Sequence, residues 1–365
     1  MIIASMYPTP FDLQDRHDQN SALIVDDKIY AYEEDKLTSV KNDPTVRFPE
    51  RSLMMGMKEL NVYPTDVDLW VFPKPLEIDL KSMHFFFTQI FKVYLGNSDS
   101  FEKWFNKKVK FVPHQIAHAS LAVFCSKFDE CAFLCLDGGG DLGDPRNFIF
   151  GEYSNNKFKV LKNNKGLKNI GAFHAIIADS LGYPGNENGK VSGLSGYGKV
   201  QPELVKRFED FIEIKSNGII FDRKRYGLTS VNLQKIKPKE YNRGKIFNSY
   251  PSDTNILRVS SSYLPQDTAA TGEMVFVNSI LSLLKQLKKY TKLKKIVFSG
   301  GIFQNVSLNN SILESGIFEH VYFPMASADS GLSLGAALFI ENKYKKRKRK
   351  TLLTPLLGPS FSDIE

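Results

Sequence analysis

Cysteine is scarce, with three in 365 residues, and Cys125, Cys131 and Cys135 form no CxxC pair. A disulfide framework and a cysteine-built zinc site are therefore excluded, and the three read as core thiols in a reducing compartment. Long apolar runs are also missing. The greasiest stretch, from Met83 to Leu95, is too short to span a bilayer and contains Lys92. The start, MIIASMYP, lacks the basic residues and the apolar centre of a signal peptide. These absences predict a cytoplasmic protein with no membrane partner. Broad basic surface is lacking too. Seven basic residues between Lys343 and Lys350 account for all but one of the eight net positive charges. One basic run after the last helix reads as a solvated linker and argues against a nucleic-acid partner. Hydrophobic content of 42% with 24% charge describes a globular chain, and the length predicts two lobes.

Attention then falls on Val112 to Asp144, VPHQIAHASLAVFCSKFDECAFLCLDGGGDLGD. His114 and His118 are one helical turn apart, so both imidazoles share a face and can reach one cation. Gln115 stands where a zinc protease needs its catalytic glutamate, which excludes that chemistry. A bare pair of this kind is more often two ordinary helix histidines. It becomes a ligand set only if an oxygen ligand arrives from elsewhere in the chain. Cys131 to Leu136 reads as a buried strand ending on Asp137 and the glycine turn Gly138, Gly139, Gly140. Acid and glycines together place a carboxylate beside a phosphate-sized gap in the backbone.

In chain order, Ser21–Val25 and Ile29–Tyr32 read as a hairpin, with His17 and Asp18 just before it. Glu33 and Glu34 end its second strand, and Lys41 follows in a polar loop. Residues 50–60 read as a helix and 68–73 as a strand. Residues 148–153 and 157–161 resemble a second hairpin. Strands alternating with helices predict an α/β protein, and the repeated hairpin hints at a duplicated sheet. His174, in a helix over 170–181, reads as a packed core residue. The stretch from Gly182 to Gly198 carries six glycines around Lys190 and reads as a loop able to approach a phosphate or carboxylate. Residues 199–265 are polar and carry no readable pattern. A clear amphipathic helix follows over 267–290. Then come strand, double glycine and amide (Gly300, Gly301, Asn305), another strand, and an acid, Asp329, at the start of a small-residue helix.

Taken together, these pieces resemble the O-carbamoyltransferases of the nodulation-factor and aminoglycoside-antibiotic type. The residues that carry the resemblance are His17-Asp18 with Ser21-Ala22, Glu33-Glu34, Arg47-Phe48-Pro49, PHQIAH at 113–118, LDGGGD at 136–141, NGKVSGLSGYG at 188–198, SGGIFQN at 299–305 and PMASADSGLSLGAAL at 324–338. They stand in the family's order over nearly the whole chain. The resemblance implies a duplicated actin/Hsp70/sugar-kinase-like (ribonuclease H-like) α/β fold. The expected organisation is an N-terminal lobe over 1–169, a C-terminal lobe over 170–340 and a basic linker over 341–365.

The resemblance also implies chemistry. A metal would be held by His114, His118 and Asp329, with Asp137 a fourth ligand or a neighbour. Iron as Fe(II) is favoured and zinc is the alternative. ATP and carbamoyl phosphate would be converted to carbamoyl-adenylate, whose nucleotide part would meet Asp137, Gly138–Gly140, Lys190, Gly300, Gly301 and Asn305. A carbamoyl group would pass to a hydroxyl of a sugar-like or natural-product acceptor. His17, Asp18 and Lys41 are the candidates on the acceptor side, with His17 or Asp18 taking the proton. Three departures put the acceptor's identity in question. Asp35 stands where the family usually has Arg, Ser195-Gly196 where it has Ala-Pro, and a longer segment precedes His17. LLGPSFSDIE at 356–365 looks like the family's linker into a carbamoyl-adenylate-forming domain, expected here as a second domain or a separate chain. Homodimerisation is left open. The alternatives are a transferase of the tRNA threonylcarbamoyl type and a non-catalytic actin-like nucleotide-binding module.

Overall fold

A computed structural model describes residues 1–8, 18–40, 43, 48–73, 80–94, 96–137, 147–164, 170–183, 187–215, 218–221, 262–345 and 354–360. Its core is one strand pattern used twice. The first sheet contains β1 (Ile2–Tyr7), β2 (Asn20–Val25), β3 (Lys28–Glu33), β4 (Leu69–Phe72) and β5 (Val109–Phe111), in the order β3-β2-β1-β4-β5. The second contains β6 (Cys131–Leu136), β7 (Phe148–Ser154), β8 (Lys157–Asn163), β11 (Lys295–Ser299) and β12 (His320–Tyr322), in the matching order β8-β7-β6-β11-β12. A small hairpin, β9 (Ile212–Lys215) with β10 (Gly218–Phe221), stands apart.

In each large sheet three antiparallel strands come first, and the first of them then pairs in parallel with a later strand. This duplicated topology is the expected actin-like one. The apolar start of the chain, IIASMY, is the central strand of the first sheet. The first lobe therefore opens on a three-stranded meander, where the sequence suggested a hairpin alone.

The helices are α1 (Asp35–Thr38), α2 (Glu50–Glu59), α3 (Leu80–Phe85), α4 (Ser98–Lys108), α5 (His114–Cys125), α6 (Ile170–Ser180), α7 (Gly189–Ser195), α8 (Pro202–Glu209), α9 (Pro265–Lys288), α10 (Val306–Glu314) and α11 (Leu332–Lys345). They pack in layers. Helices α5 and α11 lie between the two sheets, α2 to α4 cover the outer face of the first, and α6, α8, α9 and α10 cover the outer face of the second. The central strands of both sheets are thus buried on both faces. That explains why CAFLCL at 131–136 is apolar at every position: Cys131, Phe133 and Cys135 face the central layer, while Ala132, Leu134 and Leu136 face the outer helices. Each large side chain so buried contributes about 1.5–3 kcal/mol. The three cysteines are free and buried as expected, and burial pushes the Cys131 thiol up to about 12.

The central helices touch closely because their facing residues are small. A methyl group on Gly335 of α11 would lie 2.1 Å from the carbonyl oxygen of Ala117 on α5. The small residues expected to fit α11 against a sheet also serve helix-to-helix contact. Helix α11 runs on to Lys345, with Glu341 and Asn342 buried, so the first five residues of the expected linker are helical. Beyond it, Leu357 returns to the first sheet, where its carbonyl accepts from the Ala31 N–H of edge strand β3. The expected lobe boundary at 169–170 falls between β8 and α6, within the elements that build and cover the second sheet. Among the described residues no helix is long and apolar enough to cross a membrane.

Candidate metal centre

Three elements bring four side chains to one point. Helix α5 begins at His114 directly after Pro113, whose fixed φ suits the start of a helix. His114 and His118, 3% and 0% exposed, face the same direction. Strand β6 delivers Asp137, whose backbone N–H donates to the Asn147 carbonyl. A short turn, Asp329–Gly331, precedes α11 and delivers Asp329. The duplicated topology brings these chain ends together at the mouth between the sheets, although Asp329 is 192 residues from Asp137.

The donor atoms nearly form a closed polyhedron. His114 Nε2 lies 3.1 Å from His118 Nε2 and 3.1 Å from Asp137 Oδ2. Asp329 Oδ1 lies 3.2 Å from His118 Nε2 and 3.5 Å from His114 Nε2, and Asp137 Oδ2 lies 3.4 Å from His118 Nε2. All four donors fall within 4.8 Å of one another. A cation bound at about 2.1 Å separates neighbouring donors by about 3.0 Å at right angles and about 3.4 Å in a tetrahedron. The five spacings that involve an imidazole, 3.1–3.5 Å, lie in or at the edge of that range, so the residues fit a divalent transition metal. Two imidazoles with two carboxylates suit Fe(II) or Zn.

Hydrogen bonds on the far side of His118, Asp137 and Asp329 hold their orientation. Ser299 Oγ lies 3.3 Å from the Ser327 carbonyl and 3.3 Å from His118 Nδ1. The carbonyl can only accept, so when the hydroxyl donates to it, the hydroxyl accepts from a protonated Nδ1. In that tautomer a bound cation would take the place of the Nε2 proton and meet its lone pair. Asp137 Oδ1 accepts from the Gly301 N–H at 3.2 Å, leaving Oδ2 for the imidazoles. Asp329 Oδ2 accepts from Tyr7 Oη at 3.0 Å, leaving Oδ1. Electrostatics follow the same geometry. Burial and the neighbouring Asp329 act to raise the Asp137 carboxyl, but the hydrogen bonds from the two histidines pull it well below the usual range. Burial likewise opposes ionisation of Asp329, and the charge and hydrogen bonds of His114 outweigh it, so this carboxyl is held low as well. For His118, burial acts to lower the pKa, and hydrogen bonds to Asp137 and Asp329 reverse the balance and raise it.

The other candidate residues are distributed differently. Gly301 supports Asp137. Gly300 has φ +107°, and a Cβ there would lie 2.2 Å from the Leu136 carbonyl oxygen, so glycine is needed for the close strand-end contact. The Asn305 amide is engaged within the protein. Its Oδ1 caps α10 at Leu308 N, and its Nδ2 donates to Glu273 Oε1 at 2.7 Å and Ser192 Oγ at 3.1 Å. Glu273 also accepts from His174 Nε2 at 2.8 Å and from Ser192 at 3.0 Å. Burial acts to raise the Glu273 carboxyl, and the hydrogen bonds and charge of these partners outweigh it. His174 is thus a buried, paired residue of the second lobe.

Around Lys190 the glycine-rich stretch is the helix α7, not a loop. Val191 is buried there, Ser192 joins the Glu273 network, and Gly198 lies against the Gln266 carbonyl with no room for a Cβ. Lys190 itself is exposed and pairs with Glu187. Asp18 lies beside β2 with φ +59°, a left-handed conformation costing about 1 kcal/mol. Its carbonyl accepts from Asn20 Nδ2 at 2.6 Å, and the same amide donates to the Asp329 carbonyl at 2.8 Å. His17, Lys41, Gly138, Gly139 and Gly140 lie outside the described residues.

Sequence reasoning did not single out Tyr7 or Asn20, and it met Ser299 only as the first residue of the SGGIFQN motif, with no role assigned to it. The duplication carried a signal for Tyr7: the first strand of each sheet ends at the site, β6 one residue before Asp137 and β1 on Tyr7. Glu34, one of the quoted motif residues, has a structural task. Its buried carboxylate accepts from Ser52 N at 2.8 Å and Arg51 N at 3.3 Å and so caps α2 from a distance.

Residues 78–338 match the family model described as Carbamoyltransferase N-terminus, more than half of the chain. The chain belongs to this carbamoyltransferase family. It is 27% identical over 258 residues to nodulation protein NolNO of Sinorhizobium fredii, covering 70% of this chain and 34% of that one. It is also 27% identical over 328 residues to an uncharacterized protein of Methanocaldococcus jannaschii, covering 89% of this chain and 56% of the other. The chain therefore spans about a third to about half of the length of these relatives. Among solved structures, full-length HypF in its phosphate- and nucleotide-bound form is similar with a TM-score of 0.48 and 14% identity, over 95% of this chain and 56% of that one.

Proposed function

We propose that this chain carries the transfer half of an O-carbamoyltransferase, moving a carbamoyl group from carbamoyl-adenylate to a hydroxyl of a sugar-like or natural-product acceptor. The observation that carries the reading is the convergence of His114, His118, Asp137 and Asp329, with interatomic spacings suited to one cation, in a chain of this family. Carbamoyl-adenylate would be formed from carbamoyl phosphate and ATP by a further domain or a separate chain. Fe(II), with Zn as the alternative, would be held by the four side chains. When bound, the ion supplies Lewis-acid polarisation of an oxygen of the donor.

The protein's own residues do the rest. The acceptor oxygen forms a bond to the carbamoyl carbon, the bond from that carbon to the phosphate oxygen breaks, and AMP leaves with the electron pair. The hydroxyl proton passes to Asp18, whose strained backbone is anchored to Asp329 through Asn20. His17 and Lys41 belong to the same acceptor side. Lys190 and the glycines at 138–140 serve the nucleotide phosphate, while Gly300 and Gly301, whose N–H groups are taken by Ser327 and Asp137, and Asn305, which joins α7 to α10, hold the surrounding elements in place.

The test supplies carbamoyl-adenylate and a panel of hydroxyl acceptors to anaerobically Fe(II)-loaded protein. O-carbamate and AMP are expected in equal amounts, and His118→Ala is expected to lose bound metal and at least ~100-fold of the rate. Absence of carbamate with every acceptor in fully loaded protein would overturn the proposal.

A further inference from the structure

Asp329 sits alone among the four ligands in being gripped by two residues of one strand pair. Tyr7 on β1 and Asn20 on β2 are directly opposite each other in the antiparallel ladder. Tyr7 Oη donates to Asp329 Oδ2 at 3.0 Å, and Asn20 Nδ2 donates to the Asp329 backbone carbonyl at 2.8 Å. Asn20 is itself fixed, since its Oδ1 accepts from Ser333 N at 3.0 Å and its carbonyl accepts from Ser333 Oγ at 2.7 Å. The Tyr7 ring also packs edge-on to His114, with centroids 6.1 Å apart. Tyr7 and Asn20 are 8% and 2% exposed, so neither bond competes freely with water. The first sheet contributes no ligand to the cluster, yet through this pair it holds the one ligand that arrives from the far end of the chain.

We infer that Tyr7 is a positioning residue of the metal centre. Its hydroxyl occupies Asp329 Oδ2 and so presents Oδ1 alone to the cation, with Asn20 fixing the backbone from which that carboxylate projects. This inference rests on the proposed metal site. Its physical basis is ordinary: a hydrogen bond to the non-ligating oxygen removes the rotational freedom of the carboxylate and selects single-oxygen coordination. Without it the carboxylate can rotate about its terminal torsion, and Asp329 must be ordered at the moment of binding.

The test compares wild type, Tyr7→Phe and, as a control for loss of a tyrosine hydroxyl elsewhere, Tyr153→Phe. Apo-protein is titrated anaerobically with Fe(II) against a competing chelator, and with Co(II) followed by visible absorption. Urea unfolding of the apo-proteins is recorded in parallel. Tyr7→Phe keeps the ring and removes only the oxygen. It is expected to weaken metal binding by about 10-fold or more and to change the Co(II) ligand-field bands. Tyr153→Phe is expected to leave both unchanged. If wild type binds metal and Tyr7→Phe binds it equally well with the same Co(II) spectrum, the positioning role is refuted while the metal site stands. A change in apo stability with no change in affinity refutes it as well. If wild type takes up no Fe(II) or Co(II), the metal site fails and the inference falls with it.

Discussion

Replacing Gly335 with alanine separates two effects of opposite sign. In an open helix the change would stabilise by about 1 kcal/mol, because alanine loses less backbone freedom. Here the new methyl carbon would lie 2.1 Å from the Ala117 carbonyl oxygen, 2.9 Å from its carbon and 3.1 Å from Leu121 Cβ. An ordinary carbon–oxygen contact needs about 3.3 Å. The obstacle is backbone, which cannot swing aside, so α5 and α11 must separate by about 1 Å. Overpacking of this kind costs about 1–3 kcal/mol and outweighs the propensity gain. The displacement reaches the site directly. Ala117 adjoins His118 on α5, and α11 follows the turn carrying Asp329. The 3.2 Å between His118 Nε2 and Asp329 Oδ1 would widen. An added ångström exceeds the ~0.2 Å tolerance of metal–ligand distances. Gly335→Ala is therefore expected to lose about 1–3 kcal/mol in urea unfolding and at least ~10-fold in Fe(II) affinity by chelator competition. Stability within about 0.5 kcal/mol of wild type together with unchanged affinity would refute the argument that contact between these helices sets the ligand spacing.

Two further outcomes concern parts of the fold away from the ligands. Glu34→Ala leaves the Arg51 and Ser52 N–H groups at the start of α2 without their carboxylate, and should cost about 1–2 kcal/mol in urea unfolding. Glu34→Gln keeps one acceptor oxygen and should cost less than half of that; equal losses would show that the capping bonds are not the cause. Burial pushes the Asp179 carboxyl up to about 7, above an unfolded value of about 3.9. Its contribution is fully present below the unfolded value and is lost as pH rises through about 7. Between pH 5 and pH 8, Asp179→Asn should gain on the order of 1 kcal/mol relative to wild type, the full shift being discounted for partial exposure. A pH-independent difference between the two proteins would count against the buried-carboxyl account.

Local pattern alone determined much of this protein. The run CAFLCL read as a buried strand, and the four-residue spacing of His114 and His118 placed them on one helix face before any partner was visible. The hairpin over 148–153 and 157–161 and the amphipathic helix over 267–290 were likewise legible, and the structure places them at Phe148–Ser154, Lys157–Asn163 and Pro265–Lys288. The family's motif order indicated the duplicated fold and the distant Asp329. What the chain alone left undecided depends on contacts between segments far apart in sequence. The start IIASMY is too short to announce itself as a central strand, and only its pairing with β2 and β4 makes it one. Tyr7, Asn20 and Ser299 are common residue types with no informative spacing. They matter because the fold sets their polar atoms behind the ligands. The glycines around Lys190 read as a loop, yet burial of Val191 and the Ser192–Glu273–Asn305 bonds outweigh their poor helix propensity and make a helix. Periodicity and turn chemistry act over a few residues and are legible in the sequence, whereas the orientation of a ligand depends on bonds from other strands and helices, and so only the assembled tertiary structure decides it.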